Sequence, residues 1–169
     1  MIDQNTYHRI LKLRAVRVFR DEQISDEDLN SILEAARWTG SSKNNQNWKF
    51  VVIRDPDQKK RLTGAGNFMT PVKNAPCVIA LVDLSDGYEF DIGRVAQNIM
   101  LAADAIGVAS CPVTLHKKAV SARVLGLPAG ASSRYAIAIG YPRGEPPAKR
   151  KFGAGGRKAM DDLVSFETY

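Results

Sequence analysis

Residues 91–107 read Asp-Ile-Gly-Arg-Val-Ala-Gln-Asn-Ile-Met-Leu-Ala-Ala-Asp-Ala-Ile-Gly, and the architecture of the chain follows from this stretch. Apolar residues recur at helical spacing and predict the longest helix of the chain, over residues 89–107. They cover more than one narrow stripe, and several of them are small. Because a helix that is apolar on more than one side is normally enclosed by protein, we expect a second copy of this 169-residue chain to cover part of it.

Helices and strands alternate on both sides of this helix. The predicted helices cover about residues 6–16, 26–38 after a Ser25 N-cap, 56–63 and 117–125. The predicted strands cover residues 48–53, 76–82, 108–114 and 135–139, and the unbroken apolar run of the second predicts burial on both faces. The pattern predicts one domain over residues 1–169, an α+β (α/β) sandwich in which helices flank a central mixed or antiparallel sheet.

Side chains with chemistry of their own are scarce. The cysteines Cys77 and Cys111 and the histidines His8 and His116 do not form a metal-binding pattern, so no metal is expected. No dinucleotide fingerprint, Walker phosphate loop or nucleophile elbow has both the residues and the context that it needs. The lack of an obvious side-chain nucleophile favours a cofactor as the source of the chemistry.

The composition favours a cytoplasmic protein. The hydrophobic content of 44% and the charged content of 25% are ordinary for a globular domain. No apolar run reaches the roughly 18–20 residues that a membrane span needs, so no membrane partner is expected. The first residues lack the basic and then apolar layout of a secretory signal.

The net charge of +6 comes mainly from one segment. Residues 143–158 hold six basic residues and one acid, which leaves about +1 for the rest of the chain. Phe152 is the segment's single aromatic residue, and aromatic residues between the basic ones are typical of nucleic-acid sites. A basic nucleic-acid-binding domain therefore stays a remote alternative, and no nucleic-acid partner is expected.

A dense polar loop connects the second predicted helix to the first strand. Residues 41–48 read Ser-Ser-Lys-Asn-Asn-Gln-Asn-Trp, and their hydroxyls and amides offer donors and acceptors at short spacing. Composition alone favours a solvated turn with caps over a binding loop. The loop nevertheless resembles the nitroreductase family's Pro-Ser-x-x-Asn-x-Gln-Pro-Trp-x-Phe, with Ser41, Asn44, Gln46, Trp48 and Phe50 in register.

Further stretches match the same family in the same order. Residues 14–19 are similar to its Arg-Ser-x-Arg-x-Phe, residues 91–107 to its long central helix, and residues 66–68, 110–113, 139–142 and 163–166 to further signatures. Each match is modest, but together they span nearly the whole chain. The sequence is therefore identified as a member of the nitroreductase family.

The resemblance implies a nitroreductase-like homodimer with the long helix at its interface. One FMN would lie in each of two interface clefts, and the basic tail, about residues 143–169, would wrap the partner subunit. The residues that the resemblance places at the cofactor are Arg14, Ala15, Arg17, Ser41, Ser42, Asn44, Gln46, Asn67, Pro112, Val113, Thr114, Lys149, Arg150 and Lys151.

The roles of these residues are assigned from what FMN requires. Its phosphate needs cations, for which Arg14, Arg17 and residues 149–151 are candidates, although residues 149–151 also fit a solvated tail. The candidates for the polar edge of the ring are Arg17, Ser41, Asn44, Gln46 and Asn67. For Asn67, an asparagine next to glycine is about as often only a turn. Residues 112–114 are expected on one ring face, with the backbone N–H of Thr114 near flavin N5.

The chain departs from the family pattern at several positions. Leu13 stands where the family has an arginine, and Ala15 where it has a serine. Gly40 and Asn47 replace the two prolines of the loop, and residues 114–115 are Thr-Leu in place of Glu-Gly. The cofactor inference survives these changes, whereas the substrate stays undetermined.

The resemblance thus predicts an enzyme that transfers hydride from NAD(P)H through FMN to a small oxidised acceptor such as a nitroaromatic compound or a quinone. No side chain is assigned as a catalytic acid or base, because a solvent proton suffices. Two alternatives stay open within the fold. One is a flavoenzyme for a single metabolite with another donor, such as a reduced deazaflavin, and the other is a flavin-binding protein with little turnover.

Overall fold

A computed structural model describes residues 4–144 and 157–169. Its α-helices are α1 (Gln4–Lys12), α2 (Asp26–Arg37), α3 (Pro56–Leu62), α4 (Thr70–Asn74), α5 (Glu89–Ala105) and α6 (Lys118–Leu125). Its strands are β1 (Trp48–Ile53), β2 (Cys77–Asp83), β3 (Ala109–Thr114) and β4 (Ser132–Gly140). Short 3-10 turns lie at Ser42–Asn44, Thr63–Ala65 and Met160–Asp162. Among the described helices, none is both long and apolar enough to cross a bilayer.

The four strands form one sheet in the order β1-β2-β4-β3, and every neighbouring pair is antiparallel. Of the two predicted sheet types, the antiparallel one is therefore confirmed. β1 and β3 are the edge strands. The central position of β2 explains its unbroken apolar run, because residues 77–82 are buried on both faces as predicted.

Helices cover both faces of the sheet and enclose two cores. On one face, α2 and α5 pack with Trp48, Ile79 and Ile137. On the other face, residues of α3, α4, α6 and the segment 15–19 pack against Ala80 and Val113. The chain is thus a three-layer sandwich of the predicted α+β class.

Most predicted elements are confirmed, and the local signals explain why. The Ser25 hydroxyl accepts from the Asp28 N–H at 3.0 Å and caps α2 as predicted. The first helix is wrong at its C-terminal end, because α1 ends at Lys12 and residues 13–20 contain no helix. The backbone N–H of Val16 donates to the Ser110 carbonyl at 2.9 Å, so tertiary hydrogen bonds replace helical ones there.

The outer face of α5 stays uncovered in the described part of one chain. Phe90 is 76% exposed, and Ile106, directly after the helix, is 40% exposed. A Cβ built on Gly93 would meet no atom within 4 Å. The prediction that α5 is enclosed thus holds for its inner face only, as expected if another molecule covers the rest.

Candidate cofactor site

A cleft of about 420 Å³ opens along the outer edge of β3. An edge strand presents backbone groups that no further strand pairs. The residues that line the cleft are Arg17, Asn67, Phe68, Thr70, Pro71, Cys111, Pro112, Val113, Thr114 and His116. The fold thus brings Arg17, Asn67 and residues 112–114 together, and these are part of the predicted cofactor set.

The backbone of β3 directs a hydrogen-bond donor away from the sheet at this edge. Leu115 N–H donates to the Arg134 carbonyl of β4 at 2.7 Å, whereas the Ser110 carbonyl accepts from Val16 on the opposite side. Successive residues of an antiparallel edge strand alternate between these two sides. The N–H of Thr114 therefore points away from β4, and Pro112 on the same side has no N–H to donate.

Arg17 supplies the permanent positive charge of the cleft. An arginine side chain stays protonated at all physiological pH values. Burial raises the pKa of the Cys111 thiol, and the nearby Arg17 guanidinium opposes that shift. One fixed cation beside the neutral polar groups of Asn67 and Thr114 fits the polar edge of a flavin, where negative charge develops on reduction.

The loop of residues 41–46, hereafter the cofactor loop, is held by its own polar groups. The Ser41 hydroxyl accepts from the Gln46 backbone N–H at 2.9 Å, and Gln46 Nε2 donates to Asn44 Oδ1 at 3.1 Å. Lys43, Asn44 and Gln46 have φ values of 52°, 55° and 50°, in the left-handed region that side chains disfavour. Such strain persists only where the surroundings impose it, and it is frequent at ligand sites.

The cofactor loop and the cleft lie at opposite edges of the sheet. The loop leads into β1, whereas the cleft lies on β3, and both β2 and β4 stand between them. With about 4.8 Å between neighbouring strands, the two edges are roughly 14 Å apart. The predicted cofactor contacts of one chain therefore form two separate groups.

The remaining predicted contacts lie outside this cleft. Arg14 lines a separate cavity of about 180 Å³. Its Nη1 donates to the carbonyls of Leu11 and Leu13 at 2.8 and 2.7 Å, so the guanidinium caps the C-terminal end of α1. Ala15 is half-buried against the core, and Ser42 is exposed in the cofactor loop.

The predicted phosphate clamp, Lys149, Arg150 and Lys151, lies outside the described residues. Within residues 4–144 and 157–169, no three histidine, cysteine or acidic side chains come together in a group that could hold a metal ion. Of the side chains predicted to supply positive charge to the cofactor, Arg17 lines this cleft and Arg14 lines the separate cavity.

Comparison with known proteins gives the family. A family model described as the nitroreductase family matches residues 10–83 and 71–141, which together cover more than half of the chain. The chain belongs to the nitroreductase family. The predicted family is thereby confirmed, and the matched residues include both the cofactor loop and the cleft.

Relatives agree with that placement. The chain is 32% identical over 143 residues to an Archaeoglobus fulgidus protein assigned as an NADH dehydrogenase/NAD(P)H nitroreductase, covering 78% of this chain and 82% of the other. It is 28% identical over 175 residues to an NADH dehydrogenase of Thermus thermophilus, covering 80% and 85%. The structure of a protein from Desulfovibrio desulfuricans, assigned as a nitroreductase and solved in complex with FMN, superposes with a TM-score of 0.85 at 27% identity over 99% of both chains.

Five residues that line the cleft were not predicted. Phe68 is 80% exposed. Thr70 and Pro71 begin α4, whose five residues are too few for periodicity to reveal, although a proline at a helix start is a usable signal. Cys111 lies in the predicted signature 110–113, and His116 comes two residues after β3. Their position in the cleft depends on the tertiary structure alone.

Proposed function

We propose that two copies of this chain form a homodimer that binds FMN and transfers hydride from NAD(P)H to a small oxidised acceptor, such as a nitroaromatic compound or a quinone. Family membership and the relatives' names support an FMN-dependent NAD(P)H oxidoreductase. One observation carries the proposal: the cleft and the cofactor loop hold two halves of one family contact set at opposite sheet edges. The set is complete when the loop of one copy closes the cleft of the other.

Uncovered apolar surface supports the pairing of two copies. On α1, Tyr7 and Ile10 are 49% and 50% exposed, and on the neighbouring α5, Phe90 is 76% exposed. Large apolar side chains left exposed on these two helices are available to an interface with a second copy. Residues of α5 that face away from the sheet would pack against the second copy.

The C-terminal segment extends the proposed interface. Leu163 and Phe166 are 60% and 85% exposed, so this end of the chain finds little cover on its own subunit. We place the basic tail, residues 143–169, over the partner subunit. Lys149, Arg150 and Lys151 would then pair with the FMN phosphate, which accounts for the local excess of positive charge.

The groups of the chain hold and orient the cofactor. Bound FMN supplies the ring that accepts and returns hydride. Arg17 places a fixed positive charge beside the ring, and Thr114 offers its backbone N–H near the position proposed for N5. Pro112 and Val113 cover one ring face and leave the other open to the nicotinamide and then to the acceptor.

Because the donor is a reduced nicotinamide, we also propose a cytoplasmic location.

Anaerobic absorbance spectroscopy of the full chain reconstituted with FMN tests the proposal. NADH or NADPH should bleach the flavin absorbance, and a quinone should restore it. Bleaching by a reduced deazaflavin but by neither nicotinamide would favour the enzyme of a single metabolite. Retention of FMN without bleaching by any donor would identify a passive flavin-binding protein. A chain that retains no FMN after reconstitution contradicts the whole proposal.

A further inference from the structure

The start of the cofactor loop is fastened to α5. Arg94 Nη1 donates to the Gly40 carbonyl at 2.5 Å, directly before the loop. One turn further along α5, Asn98 Nδ2 donates to the hydroxyl of Thr39 at 2.8 Å, and Thr39 is only 4% exposed. Two side chains of α5 thus hold the two residues from which the loop departs.

Arg94 is itself held in place. Its guanidinium lies 3.5 Å from Asp91 Oδ1, and the side chain of Asp91 is 10% exposed. The same guanidinium lies 5.9 Å from the centre of the Phe90 ring. These contacts on its own helix limit the rotamers of a side chain that is 45% exposed, so Arg94 loses little further freedom when it binds Gly40.

Glycine at position 40 is explained by this contact. A Cβ built on Gly40 would lie 3.0 Å from Arg94 Nη2, so the guanidinium would have to shift by a few tenths of an ångström to accommodate a side chain. Gly40 is not among the residues with a positive φ, and its backbone conformation does not require glycine. In the family pattern a proline stands here, and a proline would restrict the chain before the loop by its fixed φ.

The cofactor loop needs such restraint, because several of its residues have the disfavoured left-handed conformation described above. We propose that Arg94 is a positioning residue that holds the cofactor loop for FMN binding, and that Gly40 gives it the space to do so. This inference rests on the proposed function. Arg94 acts through the backbone of the loop and is assigned no role in the chemistry.

The test compares FMN affinity, from quenching of flavin fluorescence, in the full chain and its variants. Arg94→Ala should weaken FMN binding about ten-fold, because a charged hydrogen bond to the loop is lost. Arg94→Lys should recover most of that loss, since an ammonium also donates to a carbonyl. Gly40→Ala should weaken binding too, and the double variant should be no weaker than Arg94→Ala alone.

Arg37→Ala is the matched control, because Arg37 also forms an exposed ion pair with a carboxylate three residues away, that of Glu34. Its FMN affinity should stay within about two-fold of the wild type. Sedimentation and thermal unfolding should give the same dimer fraction and Tm for Arg94→Ala as for this control. Wild-type affinity in Arg94→Ala, lack of rescue by lysine, additive losses in the double variant, or FMN loss that only follows dimer loss would each overturn the proposal.

Amide hydrogen exchange of the chain without FMN separates this inference from the proposed function. The Gln46 N–H, which donates to Ser41, should exchange faster in Arg94→Ala than in Arg37→Ala. If the wild type binds no FMN, the proposed function fails, whereas faster exchange would still demonstrate the restraint. Unchanged exchange overturns the restraint even in a chain that binds FMN well.

Discussion

The cleft on β3 and the cofactor loop are built by different means. In the cleft, residues 112–114 are set by pairing with β4, and their backbone carries the donor that faces outward. In the loop, side chains do this work, because Ser41, Asn44 and Gln46 bond to one another and Arg94 holds the first carbonyl. The cleft is thus insensitive to the identity of several side chains, whereas the loop depends on them.

This difference explains which departures from the family pattern the chain tolerates. Thr114 and Leu115 replace a Glu-Gly pair, but an amide that points outward from an edge strand stays available whatever side chain it carries. Gly40 replaces a proline before the loop, and there the hydrogen bond from Arg94 to the Gly40 carbonyl would provide the restraint. The two regions also lie at opposite sheet edges. In the proposed homodimer, each FMN site would therefore combine the cleft of one copy with the cofactor loop of the other.

The largest expected effect breaks the proposed dimer. Gly93 lies on the uncovered side of α5, and a Cβ there meets no atom within 4 Å, so Gly93→Arg fits a single chain. It should place a charged side chain in the proposed interface and yield a folded monomer by sedimentation. FMN affinity should fall at least about 100-fold, because the contacts from the cofactor loop of the other copy are lost. Gly93→Ala is the control and should remain a dimer, whereas a dimeric Gly93→Arg variant with FMN bound would refute the interface.

A smaller effect separates the two regions by subunit. Arg17→Ala and Asn44→Ala should each weaken FMN binding about ten-fold or more. When the two variants are unfolded together and refolded as a mixture, random pairing gives heterodimers in which one of the two sites carries neither change. About a quarter of all sites should then bind FMN with wild-type affinity, as titration would show. No recovery would mean that Arg17 and Asn44 serve the same site from one subunit.

The smallest expected effect concerns stability beside the loop. Burial raises the pKa of the Asp83 carboxyl, with a further contribution from Glu89. Its Oδ1 is buried without a hydrogen-bond partner among the described residues. Above the raised pKa the folded state must hold this charge, so Asp83→Asn should raise the Tm at pH 7 by about 2–4 °C, or roughly 1 kcal/mol.

That gain has a predicted pH dependence. It should be complete above the raised folded pKa of Asp83 and should disappear only as the pH falls below about 3, because the carboxyl is then protonated in both states. Calorimetry across this range measures it. Asp86→Asn, an exposed change three residues away, should show no such gain. A gain that persisted at low pH would mean that burial of the charge is not its cause.

Local signals in the sequence predict most of the elements. The Ser25 cap, the apolar run of residues 76–82 and the spacing within 91–107 each report a preference that neighbouring residues create together. The family pattern also indicates the cofactor loop and residues 112–114. Helix α4 is missed because its five residues are too few to show a helical period. The end of the first helix is misplaced because Val16 donates to Ser110, and this tertiary hydrogen bond overrides the local helix preference.

The sequence by itself thus determined the class of fold and the family, and it predicts the segments proposed to contact the cofactor, since each of these depends on short-range patterns. The strand order was decided only by the tertiary structure, because pairing depends on cross-strand contacts between residues far apart in the chain. That order separates the cofactor loop from the cleft and turns the Thr114 amide outward. It also brings Arg94 to Gly40 across 54 positions of sequence, a contact that no local pattern contains.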